Sequence, residues 1–221
     1  MIELKNVNKS YGNINVLTFD EADRKFRINE FRGKAKWVNI SGTIAFDEDK
    51  THIEDTDFQS SLYHELMHIL YFKENNVKKH LKHESLNPIT MAILILSEIY
   101  AEKKAAQIFQ NELEERYNKP INFSYSKLLL SSTSDEAHKN DDSFWEYVIN
   151  PMFLILNHFA FFYEINPQAR FPVKNNEAPI IALFNWIIVE IMPLPADELL
   201  NEDIISKTIN KTKEIDCLIR A

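Results

Sequence analysis

The spacing of the apolar residues changes near Thr56, and this change limits the folds that the chain can adopt. Before that point, residues 34–40 (KAKWVNI) alternate between polar and apolar, which is typical of a half-buried strand. Residues 43–46 (TIAF) predict a second strand, and a turn at Gly42 would join the two as a β-hairpin. Residues 13–19 (NINVLTF) predict a further strand. The N-terminal region is therefore expected to form a small sheet.

Beyond that point the apolar residues follow a helical spacing. Residues 56–71 predict one helix and residues 90–113 predict a second, longer one. Residues 144–200 are mainly helical too, apart from an interruption at 167–179 that begins and ends with proline. The sequence thus predicts an α+β fold: a small N-terminal β-sheet packed on helices that carry the site, followed by a mainly helical C-terminal half.

Composition excludes several classes of function. Lysine and arginine number 25 against 33 aspartates and glutamates, and a chain with this net charge of −8 is a poor general binder of nucleic acid. The only glycines, Gly12, Gly33 and Gly42, lie too far apart to form a GxGxxG or GxxxxGKS/T phosphate-binding loop. The single cysteine, Cys217, excludes intramolecular disulfides and cysteine-rich zinc clusters.

The sequence predicts neither a targeting segment nor a membrane span. Residues 1–13 lack the apolar run of a secretory signal. Residues 151–165 and 179–195 are apolar, but both contain ionisable side chains and both fall short of the roughly 18 to 20 apolar residues that a spanning helix needs. These two stretches are predicted to be buried core helices, and the chain is expected to be cytoplasmic.

The motif HELMH at residues 64–68, on the first predicted helix, indicates a metal site. Residues four apart lie one turn apart on the same helical face, so the imidazoles of His64 and His68 can bind one metal ion. Zinc lowers the pKa of a bound water toward neutrality, and Glu65 could take the proton of this zinc-bound water as it attacks a carbonyl. The helix is apolar, where ionisable residues are costly without partners, and this favours a functional site over a chance match.

A third protein ligand is needed, and the second predicted helix offers two candidates. Glu98 and Glu102 are four residues apart and share a helical face, so spacing alone does not decide between them. Glu98 follows the apolar residues 91–96 (MAILIL) closely and is expected to lie deeper. Lys103 and Lys104 come directly after Glu102, which indicates that this end of the helix reaches solvent.

The motif HELMH followed by ExxAE at residues 98–102 resembles the gluzincin metallopeptidases. In that clan two histidines and a glutamate on a following helix bind zinc, and an acid four residues after this glutamate orients a histidine. The order of TIAF, a loop and HELMH is also similar to small intracellular peptidases of the IrrE type and to phage-exclusion peptidases of the Lit type. The resemblance covers roughly residues 35–110.

The resemblance implies a role for each matching residue. His64, His68 and Glu98 would bind Zn²⁺, and Glu65 would be the general base. Glu102 would support a histidine from outside the ligand set, at a position where the family more often has the shorter Asp.

These expectations together predict a zinc-dependent metallopeptidase that hydrolyses a peptide bond of an intracellular protein or peptide. Residues 1–118 would form the peptidase core with its N-terminal strands, and residues 119–221 a helical region packed on it, as a separate unit or as one continuous domain. The alternative is a non-catalytic, zinc-stabilised domain that binds a protein partner, in which the coordination of zinc is closed.

Other histidines are better explained without a metal. His80 and His83 lie among lysines that would repel a cation, so a solvated basic loop is favoured over a second metal site. His138 falls in the polar segment 131–143, which predicts a loop. His158 lies in an apolar run and is expected to be a hydrogen-bonded core residue.

Overall fold

The computed structural model describes residues 15–18, 20–21, 24, 35–39, 43–46, 55–74, 87–117, 144–168 and 178–220. The predicted loop at 131–143, which contains His138, and the basic segment with His80 and His83 lie outside these residues. In the described part of the chain, a short sheet near the N-terminus is followed by helices. The predicted combination of a small sheet with a mainly helical remainder is therefore confirmed.

Within the described residues, three strands form the sheet: β1 (Asn15–Thr18), β2 (Ala35–Asn39) and β3 (Thr43–Phe46). β3 lies in the middle, where it pairs antiparallel with β2 and parallel with β1. The predicted antiparallel pairing of β2 and β3 is confirmed, and the turn predicted at Gly42 lies outside the described residues. Ile44 and Ala45 of β3 are fully buried, which fits a central strand whose faces are covered.

The described chain beyond the sheet is helical. Its α-helices are α1 (Thr56–Glu74), α2 (Pro88–Ile108), α3 (Gln110–Tyr117), α4 (Phe144–Ile165), α5 (Pro179–Trp186) and α6 (Glu202–Arg220). A π-helical turn (Ile187–Ile191) and a 3-10 helix (Ala196–Leu200) connect α5 to α6. α1 begins at the residue where the spacing predicts a helix.

The second predicted helix, residues 90–113, is divided into two, so the prediction of one continuous helix is wrong. α2 ends at Ile108, and Phe109 leaves the helical conformation with φ −116° and ψ 39° before α3 begins. Phe109 is buried in a small apolar cluster, where its ring centroid lies 5.8 Å from that of Tyr63. No Pro or Gly near this position explains the end of the helix. We attribute it to the tertiary packing of the Phe109 ring.

α2 is the central helix of the fold, because it packs against α1, α4 and α6. A helix that is covered on all sides must be apolar around its whole circumference. The fully buried apolar residues of α2 meet this condition: Met91, Ala92, Ile93, Ile95, Leu96, Ile99, Ala101 and Ala105. α1 packs against α2 and also against β2 and β3, so it links the sheet to the central helix.

α4 contains the first of the two apolar stretches that the sequence predicts to be core helices, and this prediction is confirmed. The second stretch, 179–195, is divided between α5 and the π-helical turn that follows it, and both contribute residues to the core. Met152 and Leu156 of α4 and Leu183 and Phe184 of α5 are fully buried. The predicted boundary after residue 118 lies outside the described residues, and α4, which follows it in the chain, packs directly against α2. Among the described helices, none combines the length and the apolar character that crossing a lipid bilayer would require.

The start of α2 depends on a side-chain cap. Asn87 Oδ1 accepts hydrogen bonds from the backbone N–H groups of Ile89 and Thr90, both at 3.0 Å. Pro88 occupies the first turn, where its missing N–H group would have no helical partner in any case. The cap therefore satisfies two backbone donors that the helix itself leaves without acceptors.

Replacing Asn87 with Ala should lower the free energy of unfolding by about 1 kcal/mol, because two N–H groups lose their acceptor. Urea unfolding of the metal-free protein would measure the difference. Asn87→Ser retains a capping oxygen and serves as the control, with a markedly smaller loss expected. An equal loss in both variants would show that the side-chain oxygen is not what stabilises this end of α2.

Candidate metal centre

α1 brings the two histidines of HELMH together. His64 and His68 are one helical turn apart, and their Nε2 atoms approach to 3.1 Å, with ring centroids 4.8 Å apart. His68 is buried, and the side chain of His64 is 12% exposed. Both rings therefore present the same nitrogen to one point at the edge of the core.

α2 supplies a carboxylate at this point. Glu98 Oε1 lies 3.3 Å from His64 Nε2, and Glu98 Oε2 lies 3.3 Å from His68 Nε2. His64, His68 and Glu98 are the group of side chains in the described chain whose potential metal-binding atoms converge. These are the three residues that the sequence and its resemblance predict as ligands.

The donor set of this group fits zinc. With one ligand atom taken from each residue, the ligand atoms of His64, His68 and Glu98 lie within 4.8 Å of one another. The two Nε2 atoms are 3.1 Å apart, and each Nε2 lies 3.3 Å from a different oxygen of Glu98. Two imidazoles and one carboxylate also match the donor set that zinc takes in open sites with three protein ligands. The residues that are present therefore fit a zinc ion.

Each histidine is held by a second contact through its other ring nitrogen. His64 Nδ1 lies 2.9 Å from Glu102 Oε2, and His68 Nδ1 lies 2.7 Å from Ser97 Oγ. Partners at Nδ1 orient an imidazole and set its tautomer, which leaves Nε2 to face the ligand group. Glu102 thus contacts a histidine rather than the converging atoms, as the resemblance implies.

Two polar contacts at the site lie beyond the sequence predictions. Ser97 contacts His68, and Asn157 Nδ2 on α4 donates a hydrogen bond to Glu98 Oε1 over 2.7 Å. The available signal in each case was a polar residue within an apolar run, since Ser97 follows MAILIL and Asn157 follows MFLIL. Such residues are costly in a core unless they find hydrogen-bond partners.

The charges at the site are strongly coupled. Burial by itself would lower the pKa of His64, but hydrogen bonds and charge interactions with Glu102 and Glu98 outweigh it and hold that pKa well above 6.5. Burial would likewise raise the pKa of Glu98, but His68 and His64 outweigh it and hold that pKa well below 4.5. Among the described residues, the groups that lower the pKa of Glu98 are both imidazoles, with no lysine or arginine. The two carboxylates therefore favour a positive charge on the imidazoles between them.

The relative depth of the two glutamates differs from the expectation. Glu102 is 2% exposed and Glu98 is 12% exposed, so the residue expected to reach solvent is the deeper one. Lys103, which the sequence predicts to lie near solvent, is also buried. Its Nζ lies 3.4 Å from Glu164 Oε2 on α4. The expectation fails because α4 covers this part of α2 and supplies an acid for the lysine.

Two other residues singled out by the sequence, Glu65 and His158, lie outside the converging group. Glu65 is half-buried on α1 next to His64, and it is not one of the three converging groups. His158 lies beside aromatic rings, with its centroid 4.7 Å from that of Phe162, and it is not part of the converging group either. The burial of His158 lowers its pKa, so the ring favours its neutral form.

Comparison of the chain with protein-family models, with curated proteins and with solved structures found no match. The assignment of a metal site to this chain therefore depends on its own residues and on their geometry.

Replacing Glu98 and Glu102 in turn should show which of them binds the metal and which only orients a histidine. Glu98→Ala should leave a chain that hardly retains zinc, because one of three protein ligands is gone. Glu102→Ala should weaken zinc binding by about 10- to 100-fold, the usual effect of losing a group that orients a ligand. Competition with a zinc chelator would measure both, with circular dichroism as the check on folding. If Glu102→Ala loses the metal and Glu98→Ala keeps it, the ligand assignment is wrong by one helical turn.

Zinc uptake near pH 7 should release about one proton per chain, because a metal ligand must be deprotonated and the raised pKa of His64 keeps it protonated without metal. Zinc affinity should therefore fall as the pH is lowered, and the release should vanish once the pH exceeds the pKa of His64. Titration calorimetry in two buffers with different heats of ionisation would count the protons. A binding heat independent of the buffer at pH 7 would contradict a protonated His64.

Proposed function

We propose that the chain is a zinc-dependent metallopeptidase that hydrolyses a peptide bond of a cytoplasmic protein or peptide. The observation that carries the proposal is the convergence of His64, His68 and Glu98, whose ligand atoms, one from each residue, lie within 4.8 Å of one another. These residues belong to HELMH and ExxAE, the two motifs by which the chain resembles the gluzincins. The geometry and the resemblance thus support the same ligand set.

In this proposal His64, His68 and Glu98 hold the zinc ion. Bound zinc would lower the pKa of a water toward neutrality and polarise the carbonyl of the scissile bond. Glu102 keeps His64 oriented through Nδ1, and Ser97 does the same for His68. Because contacts at Nδ1 already orient both imidazole rings, the histidines would lose little further conformational freedom when the metal binds.

Glu65 is the proposed general base. It follows His64 on α1, and its carboxylate would accept a proton from the water that attacks the carbonyl carbon. The water oxygen joins the acyl carbon, the C–N bond breaks, and the proton leaves on the amine nitrogen. In the same proposal the small sheet forms one side of the site region, because α1 packs against β2 and β3.

A zinc ion with a purely structural role is the competing function. The small exposure of the ligand side chains, 12% for both His64 and Glu98, is compatible with closed coordination. A structural zinc would support a domain that binds a protein partner without cleaving it. Replacing Glu65, which lies outside the ligand set, separates the two functions.

Glu65→Gln should keep both zinc and fold but lose hydrolysis by about 10²- to 10⁴-fold, because the amide cannot accept the proton of the water. Zinc content of the purified protein would be measured first. Wild type and variant would then be incubated with whole-cell lysate, and newly formed peptide termini would be identified by mass spectrometry.

Termini that appear with the wild type and vanish with both Glu65→Gln and a chelator would support the peptidase. A protein that stays metal-free after zinc addition would rule out the metallopeptidase. A zinc-loaded wild type that forms no new termini would favour the structural zinc. Equal turnover by Glu65→Gln on a verified substrate would show that Glu65 is not the base.

A further inference from the structure

Asn157 links the helical C-terminal half to the metal site. Its Nδ2 donates a hydrogen bond to Glu98 Oε1 over 2.7 Å. The orientation of the amide follows from this contact, because the opposite orientation would set its oxygen against a carboxylate oxygen. Asn157 Oδ1 is buried and has no hydrogen-bond partner among the described residues, so in that part of the chain Glu98 alone orients the amide.

A neutral donor suits a carboxylate that binds a cation. A lysine or arginine beside Glu98 would compensate its negative charge and would repel a metal ion. The amide of Asn157 instead occupies a lone pair of Oε1 without changing the charge, which leaves the negative charge and the other lone pairs to the cation. We propose that Asn157 is a positioning residue of the metal site, which keeps the Glu98 carboxylate turned toward both histidines.

Further contacts fix Asn157 in place by locking α4 against α2. Lys103 Nζ lies 3.4 Å from Glu164 Oε2, and Gln107 Nε2 donates to Glu164 Oε1 over 2.7 Å. Glu164 lies about two helical turns beyond Asn157 on α4, and its two partners lie beyond Glu98 on α2. The contacts follow the same order along both helices, so the helices run parallel here. α4 cannot slide by a turn without breaking these contacts together.

The inference rests on the proposed zinc site and adds a third helix to it. α1 provides the two histidines, α2 provides Glu98, and α4 provides the donor that orients the Glu98 carboxylate. Without this donor the carboxylate could rotate about its last side-chain bond and spend part of its time turned away from the histidines. The affinity for zinc, and not only the stability of the fold, should therefore depend on α4.

The test compares Asn157→Leu with Gln107→Met. Each substitution keeps the approximate size of the side chain and removes one amide donor of the same hydrogen-bond length, 2.7 Å, between α2 and α4. Asn157→Leu should bind zinc about 10- to 100-fold more weakly, since the loss of an outer contact commonly has an effect of this size. Gln107→Met should bind zinc as the wild type does. Chelator competition would measure the affinity, and thermal unfolding without metal would report the stability of each variant.

The outcomes separate this inference from the proposed function. If folded Asn157→Leu binds zinc with wild-type affinity, or if both variants lose affinity equally, Asn157 has only a packing role and the inference fails while the peptidase remains. If the wild type binds no zinc, both fail. If the wild type binds zinc but cleaves nothing, the inference stands whenever Asn157→Leu is the weaker binder.

A measurement on the unaltered chain covers the case in which Asn157→Leu does not fold. The side-chain amide signals of Asn157 and Gln107 would be followed by nuclear magnetic resonance during zinc addition. The Asn157 signal should shift in step with zinc occupancy, because its acceptor Glu98 changes partner, and the Gln107 signal should not. An Asn157 signal that ignores zinc would overturn the inference.

Discussion

The largely buried carboxylate of Glu98 is the constraint around which the described structure is organised. A carboxylate taken out of water is destabilising by several kcal/mol unless charges and hydrogen bonds compensate for it. Here the compensation for Glu98 on α2 comes from two other helices: His64 and His68 on α1, and Asn157 on α4. The packing of these helices and the charge balance of the site therefore depend on each other. The apolar faces bring the helices together, and the polar contacts determine their registry.

In the proposed zinc site, a proton and a metal ion would compete for the same place. The raised pKa of His64 shows that the two neighbouring carboxylates favour a positive charge there. A proton on His64 lets the metal-free chain keep the ligands together, because it relieves the repulsion between lone pairs that face one another. Under the proposal, zinc would replace that proton with a larger positive charge. The electrostatics that favour the proton on His64 would then also favour the metal ion.

The fold was predictable where a single element carries its own periodicity. The antiparallel strands β2 and β3 and the start of α1 at Thr56 follow from alternation and helical spacing, which are local properties. The break between α2 and α3 at Phe109 was not predictable, because it depends on the packing of the Phe109 ring against Tyr63 and residues of other helices. The expectation that Lys103 lies near solvent failed for a similar reason. Sequence alone predicts that a lysine in a helix is exposed, because the acid that pairs with it, here Glu164 on α4, is distant in the sequence.

The sequence by itself determined the chemistry that this chain can offer. It placed His64 and His68 one turn apart, because an i, i+4 pair shares a helical face wherever the helix lies. It also narrowed the third ligand to two glutamates. Only the tertiary structure decided that Glu98 faces both Nε2 atoms while Glu102 contacts an Nδ1 atom, since this depends on how α2 is rotated against α1. Only the tertiary structure brought in Asn157, because a hydrogen bond between residues 59 positions apart leaves no spacing that periodicity can detect.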